Sequence, residues 1–191
     1  MQSEQEIEFK NLLTKEEFTR ISDFFNIKPN EFKTQANYYY DTADQFFKNN
    51  RMGFRLRVLD DRNELTLKTP IEEHIMNEQT VLVTDDERDI IIQKAIFPSI
   101  PFIEEIISTK PLTCFGSIQT NRAQLKLEEG TLFLDHSLYS NVEDYEIEFE
   151  CKDVEEGQKF FFKLLDRHQI PLRSTDKKIA RLVKAMNSLK G

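Results

Sequence analysis

The stretch that decides the fold is YEIEFEC at residues 145–151, and EIEFK at residues 6–10 repeats its central phrase. Acidic and apolar residues alternate in both. Because successive side chains on a β-strand point to opposite faces, the glutamates of each stretch would share one face and the isoleucine and phenylalanine the other. Each stretch therefore predicts a strand with one acidic face and one apolar face.

Similar alternation recurs along the chain and predicts eight strands. They cover residues 5–11, 34–41, 53–60, 64–69, 79–84, 123–128, 131–135 and 144–152. Turn-forming residues at 61–63 and 128–130 separate two pairs of neighbouring strands, which is typical of antiparallel hairpins. Much of the predicted sheet is therefore antiparallel.

Helical periodicity interrupts the strands at several places. Thr14 opens the first helix with a capping box, Thr84 or Asp85 caps the second, and Asp153 caps a third. A short apolar helix is predicted after Pro101, and a last helix over residues 175–189. Since no flexible linker divides the chain, we expect one α+β domain over residues 1–191, with helices packed on an antiparallel sheet.

Composition narrows the class of protein. The chain has 191 residues, 39% of them hydrophobic and 31% charged, with a net charge of -8. These values are typical of a globular protein that is a poor partner for nucleic acid or an anionic membrane. With neither a signal peptide nor an apolar membrane span, we expect a cytoplasmic monomer or homodimer. Cys114 and Cys151 are expected to be buried, reduced thiols.

The polar faces of the strands are sorted by charge. Carboxylates concentrate on the first and last predicted strands, and basic groups on the middle ones, as in FRLR at residues 54–57. An ordinary half-buried sheet would have its polar face in water. Three consecutive glutamates on one strand face repel one another unless a cation lies between them, which favours a second interpretation.

In that second interpretation the eight strands close into a barrel with a polar lumen and helices on the outside. Arginine forks match phosphate oxygens, so the basic part of the lumen suits a polyphosphate. Carboxylates suit Mg²⁺ or Mn²⁺, which commonly bridge protein oxygens and phosphates. The pattern indicates metal-assisted phosphoryl transfer on a small-molecule substrate.

Several motifs, in this order along the chain, resemble those of the CYTH superfamily, the triphosphate tunnel metalloenzymes. They are EIEFK at 6–10, YYYDT at 38–42, FRLR at 54–57, ELTLKTP at 64–70, LFLD at 132–135, YEIEFE at 145–150 and KIARL at 178–182. The resemblance covers nearly the whole chain. It implies an eight-stranded antiparallel tunnel that holds a triphosphate.

The resemblance also implies roles for individual residues. The implied phosphate-binding residues are Lys10, Arg55, Arg57, Lys68, Arg122, Lys178 and Arg181. The implied ligands of one or two divalent cations are Glu6, Glu8, Glu78, Asp135, Glu146 and Glu148. Tyr39 and Lys68 occupy the positions of a pair thought to assist attack by water, and Glu8 joins them as a catalytic candidate. The role of Glu150 stays open.

The leading expectation is a metal-dependent triphosphatase that acts on inorganic triphosphate, thiamine triphosphate or a similar organic triphosphate. A class IV adenylyl cyclase, which makes cyclic AMP and diphosphate, is the alternative enzyme. A non-catalytic module that binds polyphosphate or nucleotides is a third reading, although binding alone would not need the carboxylates on both strands.

Overall fold

The computed structural model describes residues 2–107, 110–173 and 175–188. Eight strands form a closed antiparallel barrel in the order β1-β5-β4-β3-β2-β6-β7-β8. The predicted α+β class and barrel architecture are confirmed.

Each predicted strand corresponds to one strand of the barrel. The bounds are β1 Gln2–Leu13, β2 Lys33–Thr42, β3 Gly53–Val58, β4 Asn63–Glu72, β5 Ile75–Val83, β6 Leu112–Lys126, β7 Thr131–Tyr139 and β8 Val142–Cys151. The largest error concerns β6, which begins 11 residues before the predicted start at residue 123. Its first half, TCFGSIQTN, lacks a clear alternation of apolar and polar residues, so the pattern did not reveal it.

The helices lie where their caps predicted them. Their bounds are α1 Lys15–Phe24, α2 Phe46–Asn49, α3 Asp85–Lys94, α4 Glu104–Ile107, α5 Val154–Arg167 and α6 Lys178–Ser188. Thr14 and Thr84 each form a capping box, and Asp153 accepts a hydrogen bond from the Glu156 backbone. Helix α6 begins three residues later than expected, and α2 and a single 3₁₀ turn at Pro29–Glu31 were not predicted. Residue 189 of the predicted last helix lies outside the described residues.

The chain divides into two compact units, each assembled from two segments. The β3–β5 unit comprises Met1–Gln5 and Gln35–Ile118, and the β7–β8 unit comprises Glu6–Thr34 and Gln119–Gly191. The expectation of a single domain over residues 1–191 stays a prediction.

The core of the β7–β8 unit lies between the apolar strand faces and helices α1 and α5. Phe9, Ile147 and Phe149 project from the strands, and Phe161 and Leu165 pack on them from α5. These side chains are almost wholly buried, and each contributes roughly 1.5–3 kcal/mol to folding. The opposite strand faces carry the charged residues.

The β3–β5 unit has a core of its own. Tyr40, Phe54 and Leu65 are buried there, and Ile91 of α3 and Ile103 beside α4 cover them. Helices thus pack on the apolar strand faces in this unit as well.

The expectation of two buried thiols is wrong. Cys114 is exposed and Cys151 is half-buried, and both are free. Cys151 lies in a predicted strand, whereas Cys114 lies near the start of β6, in the half that alternation did not predict, and its own side chain is accessible there. Within the described ranges, no helix combines the length and the apolar character needed to cross a membrane.

Candidate active site

The charged face of the β7–β8 unit is built by strand register. Arg122 of β6 lies opposite Asp135 of β7, and Asp135 lies opposite Glu146 of β8. Glu148 lies opposite Phe133 on the same face. Because directly paired residues share a face, the register brings together side chains from three consecutive strands.

Two carboxylates, those of Asp135 and Glu148, bind the guanidinium group of Arg122. Nε donates to Asp135 Oδ1 and Nη2 to Asp135 Oδ2, both at 2.6 Å, and Nη2 also contacts Glu148. Asp135 has no exposed surface. A bidentate pair in a buried setting fixes both the position and the plane of the arginine.

Helix α6 adds two more cations to this face. Nζ of Lys178 lies 2.8 Å from Asp135 Oδ2 and 2.7 Å from Glu146 Oε2, and it also contacts Glu148. One helical turn later, Arg181 Nη2 lies 2.7 Å from Glu146 Oε2, and its Nε lies 3.0 Å from Asp144 Oδ2. Residues at i and i+3 lie on one helix face, so α6 presents both cations to β8.

Mutual attraction keeps these buried groups charged. Burial by itself would lower the pKa of Lys178, but the carboxylates of Asp135, Glu146 and Glu148 outweigh it and hold the pKa well above its usual value. Burial would likewise raise the pKa of Glu148, yet Lys178 and Arg122 hold it well below the usual range. The site is therefore a network of ions, here called the α6 ion network: Arg122, Lys178 and Arg181 with Asp135, Asp144, Glu146 and Glu148.

A second group of carboxylates lies beside this network. Glu6, Glu8 and Glu150 each offer an oxygen, and these three oxygens all lie within 4.8 Å of one another. Glu8 and Glu150 are paired across β1 and β8, and Lys10 Nζ lies 2.6 Å from Glu8 Oε1. We call Glu6, Glu8 and Glu150 the acidic cluster.

The acidic cluster has the donor chemistry of a site for a hard divalent cation. It offers oxygen ligands only, at a separation that one Mg²⁺ or Mn²⁺ could bridge. Burial, together with repulsion from the neighbouring Glu6 and Glu8 carboxylates, raises the pKa of Glu150 to about 7. Such mutual repulsion is what a bound cation would relieve.

The predicted metal ligands thus fall into different surroundings. Glu6 and Glu8 belong to the acidic cluster, whereas Asp135, Glu146 and Glu148 have lysine or arginine partners in the α6 ion network. Glu150, whose role the sequence left open, joins Glu6 and Glu8. The antiparallel register of β1 and β8 would have indicated this, since it pairs Glu150 with Glu8.

The remaining predicted residues lie in the β3–β5 unit. Glu78 contacts Lys68 and lies 4.0 Å from Arg55 Nη2, and its role as a metal ligand stays a prediction. Arg57 donates from Nε to Asn37 Oδ1 at 3.0 Å. Tyr39 pairs with Arg55 across β2 and β3 and is buried, with its ring centroid 6.3 Å from that of Phe115.

Sequence reasoning missed a buried aromatic ring on the charged face. The Cζ atom of Arg122 lies 4.5 Å from the ring centroid of Phe133. Phe133 shares its strand face with Asp135, two residues further on, and this spacing was the available signal. Asp144 was also missed; it accepts hydrogen bonds from Tyr139 at 2.5 Å and from Arg181 at 3.0 Å.

These features define a class: an eight-stranded antiparallel barrel whose strands carry paired carboxylates and basic groups opposite their apolar faces. The chain matches the CYTH domain family over residues 4–183 and belongs to that family. The resemblance inferred from the motifs is confirmed.

Individual relatives agree with this assignment. A Bacillus subtilis (strain 168) protein named "Putative triphosphatase YjbK" is 38% identical over 187 residues, which is 95% of each chain. The crystal structure of a "putative adenylate cyclase" from Bacillus halodurans is 34% identical, with a TM-score of 0.88 over 95% of this chain and 98% of the other. A Hippeastrum protein, HpAC1, described as a "putative adenylyl cyclase" with a dominant triphosphatase activity, is 20% identical with a TM-score of 0.78 over 94% and 95% of the two chains, and shares the fold.

Proposed function

We propose that this protein is a divalent-metal-dependent triphosphatase that releases orthophosphate from inorganic triphosphate or a small organic triphosphate. The observation that carries the proposal is the acidic cluster beside the α6 ion network in a member of the CYTH family. The 38% identity to a protein named as a triphosphatase supports it.

The acidic cluster is the proposed site of Mg²⁺ or Mn²⁺. Glu6, Glu8 and Glu150 would hold the cation, which neutralises charge on the triphosphate and lowers the pKa of a bound water. The choice between the two metals is left to experiment. Asp135, Glu146 and Glu148 would first have to exchange their lysine and arginine partners to serve as ligands.

The basic groups of the α6 ion network are the proposed phosphate ligands. Arg122, Lys178 and Arg181 are surrounded by four carboxylates, so their charge is already balanced before a triphosphate arrives. A divalent cation bound nearby offsets the added negative charge. Lys10, Arg55, Arg57 and Lys68 are further proposed phosphate ligands.

Hydrolysis forms a bond between a water oxygen and the terminal phosphorus. The bond from that phosphorus to its bridging oxygen breaks, the electron pair leaves with diphosphate, and a proton passes to solvent. Such reactions depend mainly on positioning and electrostatic stabilisation, which fixed arginine and lysine groups provide. Tyr39 and Lys68 remain proposed helpers of water attack, although Lys68 would first have to leave Glu78.

A panel assay tests the proposal. The purified protein is incubated with Mg²⁺ or Mn²⁺ and inorganic triphosphate, thiamine triphosphate, ATP or long polyphosphate, and both phosphate and cyclic AMP are measured. We expect metal-dependent phosphate release from a triphosphate. Cyclic AMP with diphosphate would instead identify a cyclase, the activity named for the Bacillus halodurans relative. Tight binding without turnover would identify a binding module.

Two variants test the metal assignment. Glu8→Gln and Glu150→Gln each remove a charged oxygen ligand, and we expect kcat/KM to fall at least about 100-fold at a fixed metal concentration. The matched control is Glu156→Gln at an exposed position of α5, where Glu156 pairs with Lys159. Wild-type turnover in both cluster variants would overturn the assignment.

A further inference from the structure

A buried amide lies on the apolar face of β1. Asn11 has no exposed surface, and it lies between Phe9 and Leu13, which point into the core of the β7–β8 unit. The alternation of β1 calls for an apolar residue at this position. A buried amide is costly unless it is hydrogen-bonded, so its partners explain its presence.

Those partners lie in the segment that precedes α6. The Nδ2 group of Asn11 donates to the carbonyl oxygen of Pro171 at 3.1 Å and to that of Leu12 at 2.9 Å. Its Oδ1 accepts from the backbone N–H of Arg173 at 2.6 Å. One side chain thus ties both Pro171 and Arg173 to β1.

Further bonds fasten the same segment. Arg173 Nη1 donates to the Leu12 carbonyl at 2.9 Å and to Glu17 Oε2 at 2.7 Å, and Nη2 donates to Glu17 Oε1 at 3.0 Å. The backbone N–H of Leu12 donates to Thr175 Oγ1 at 3.3 Å. We call Asn11, Arg173 and Glu17, with the bonds they make, the β1 clamp.

Arg173 of the clamp lies five residues before Lys178, the first residue of α6. Lys178 must reach three carboxylates at once, and small displacements of a helix end would break such a geometry. Strand β1 also carries Glu6 and Glu8 of the acidic cluster. The clamp therefore ties the helix bearing the cations to the strand bearing the carboxylates.

We propose that Asn11 and Arg173 are positioning residues that act through Lys178 and Arg181: the β1 clamp fixes where α6 begins and so holds both cations on the charged face. The catalytic part of this inference rests on the proposed triphosphatase activity. The structural part, that the clamp holds α6, does not.

The first test is structural and needs no substrate. Asn11→Leu replaces the amide with an apolar side chain of similar size and removes its three hydrogen bonds. Arg173→Gln breaks the ion pair with Glu17, at a position that is half-exposed. Amide hydrogen exchange of α6 should accelerate at least about tenfold in both variants, while the β7–β8 pair keeps its protection. Unchanged exchange in α6 would overturn the proposal. Arg173→Gln keeps the test decisive if Asn11→Leu fails to fold.

The second test separates positioning from general destabilisation. We expect kcat/KM for the best triphosphate to fall about 10- to 100-fold in each variant, with the Kd of Mn²⁺ alone changed less than about twofold. In a background that lacks both cations, Lys178→Gln with Arg181→Gln, the same substitutions should change kcat/KM less than about twofold, because their effect passes through these two residues. If the clamp substitutions lower kcat/KM by the same factor in that background as in the wild type, the catalytic part of the proposal is overturned.

A core variant serves as the control. Phe161→Leu on α5 lowers stability without touching the clamp, so it should lower the melting temperature while leaving exchange in α6 and kcat/KM near wild type. If the wild type hydrolyses no triphosphate, the proposed function fails, while accelerated exchange in the clamp variants would still support the structural part.

Discussion

Lys178 Nζ lies 2.7 Å from Glu146 Oε2, and Glu146 has no exposed surface. The pair joins the first residue of α6 to the middle of β8. A buried ion pair stabilises a folded protein little more than well-packed apolar residues of the same volume would. Removing only one partner, however, leaves the other charge buried and uncompensated. The α6 ion network is therefore sensitive to the loss of any single cation.

Replacing Lys178 with Met should destabilise the protein strongly. Asp135, Glu146 and Glu148 would lose a shared partner, and we expect the free energy of unfolding to fall by about 3–5 kcal/mol in urea at pH 7. Lys184→Met, at an exposed pair with Asp176, should leave it unchanged within error. A Lys178 variant as stable as the wild type would contradict the charge assignment of the network.

Glu150→Gln should stabilise the protein at alkaline pH when no divalent cation is present. The pKa of Glu150 is raised to about 7 in the folded protein, against about 4.3 for an ordinary glutamate. Its protonated form is therefore favoured by folding, and the associated stability is lost as the pH rises through 7.

The melting temperature checks this prediction. The variant should gain on the wild type between pH 5 and 8.5, and added Mn²⁺ should stabilise the wild type but not the variant. Glu129→Gln, on the exposed β6–β7 turn, is the control. Parallel curves for Glu150→Gln and the wild type would show that Glu150 titrates normally.

Glu17→Gln should weaken the fold in a pH-dependent way. The hydrogen bonds from Arg173 lower the pKa of Glu17, against the opposing effect of burial. A lowered pKa stabilises the folded state above the unfolded pKa of about 4.3, and this stability is lost as the pH falls through the folded value. The variant should therefore lose about 1 kcal/mol at pH 7 and progressively less below pH 4, as measured by urea unfolding.

Gly157→Ala should be destabilising despite the better helix propensity of alanine. A Cβ at this position of α5 would overlap Sγ of Cys151 and lie 3.1 Å from Phe9 Cε2. Overpacking of this kind costs about 1–3 kcal/mol. The double variant Cys151→Ala with Gly157→Ala should recover part of the lost stability in urea, and Cys151→Ala alone is the control. No recovery would place the strain at Phe9.

Phe133→Leu should weaken triphosphate binding, provided that the proposed function is right. Leucine fills the apolar volume but offers no π face to Arg122, and such contacts contribute about 0.5–2 kcal/mol. We expect KM for triphosphate to rise several-fold with a smaller change in kcat. Phe162→Leu, on the exposed face of α5, should leave both constants unchanged.

Local sequence signals determined the elements and their faces. Period-2 alternation and the caps at Thr14, Thr84 and Asp153 gave every barrel strand and the starts of three helices, because both depend on residues close in sequence. The same alternation placed Glu146, Glu148 and Glu150 on one face of β8. It failed along the first half of β6, where polar and apolar residues are mixed.

Only the tertiary structure decided which carboxylate meets which cation. The alternation along β8 does not distinguish Glu146, Glu148 and Glu150. Strand register pairs Glu150 with Glu8, whereas α6 brings Lys178 into contact with Glu146 and Glu148. Register and helix placement depend on packing between segments that are separate in sequence: Glu8 and Glu150 are 142 residues apart, and Lys178 lies 32 residues after Glu146. For the same reason the sequence could not reveal why Asn11 is an amide: its partners, Pro171 and Arg173, lie 160 and 162 residues away.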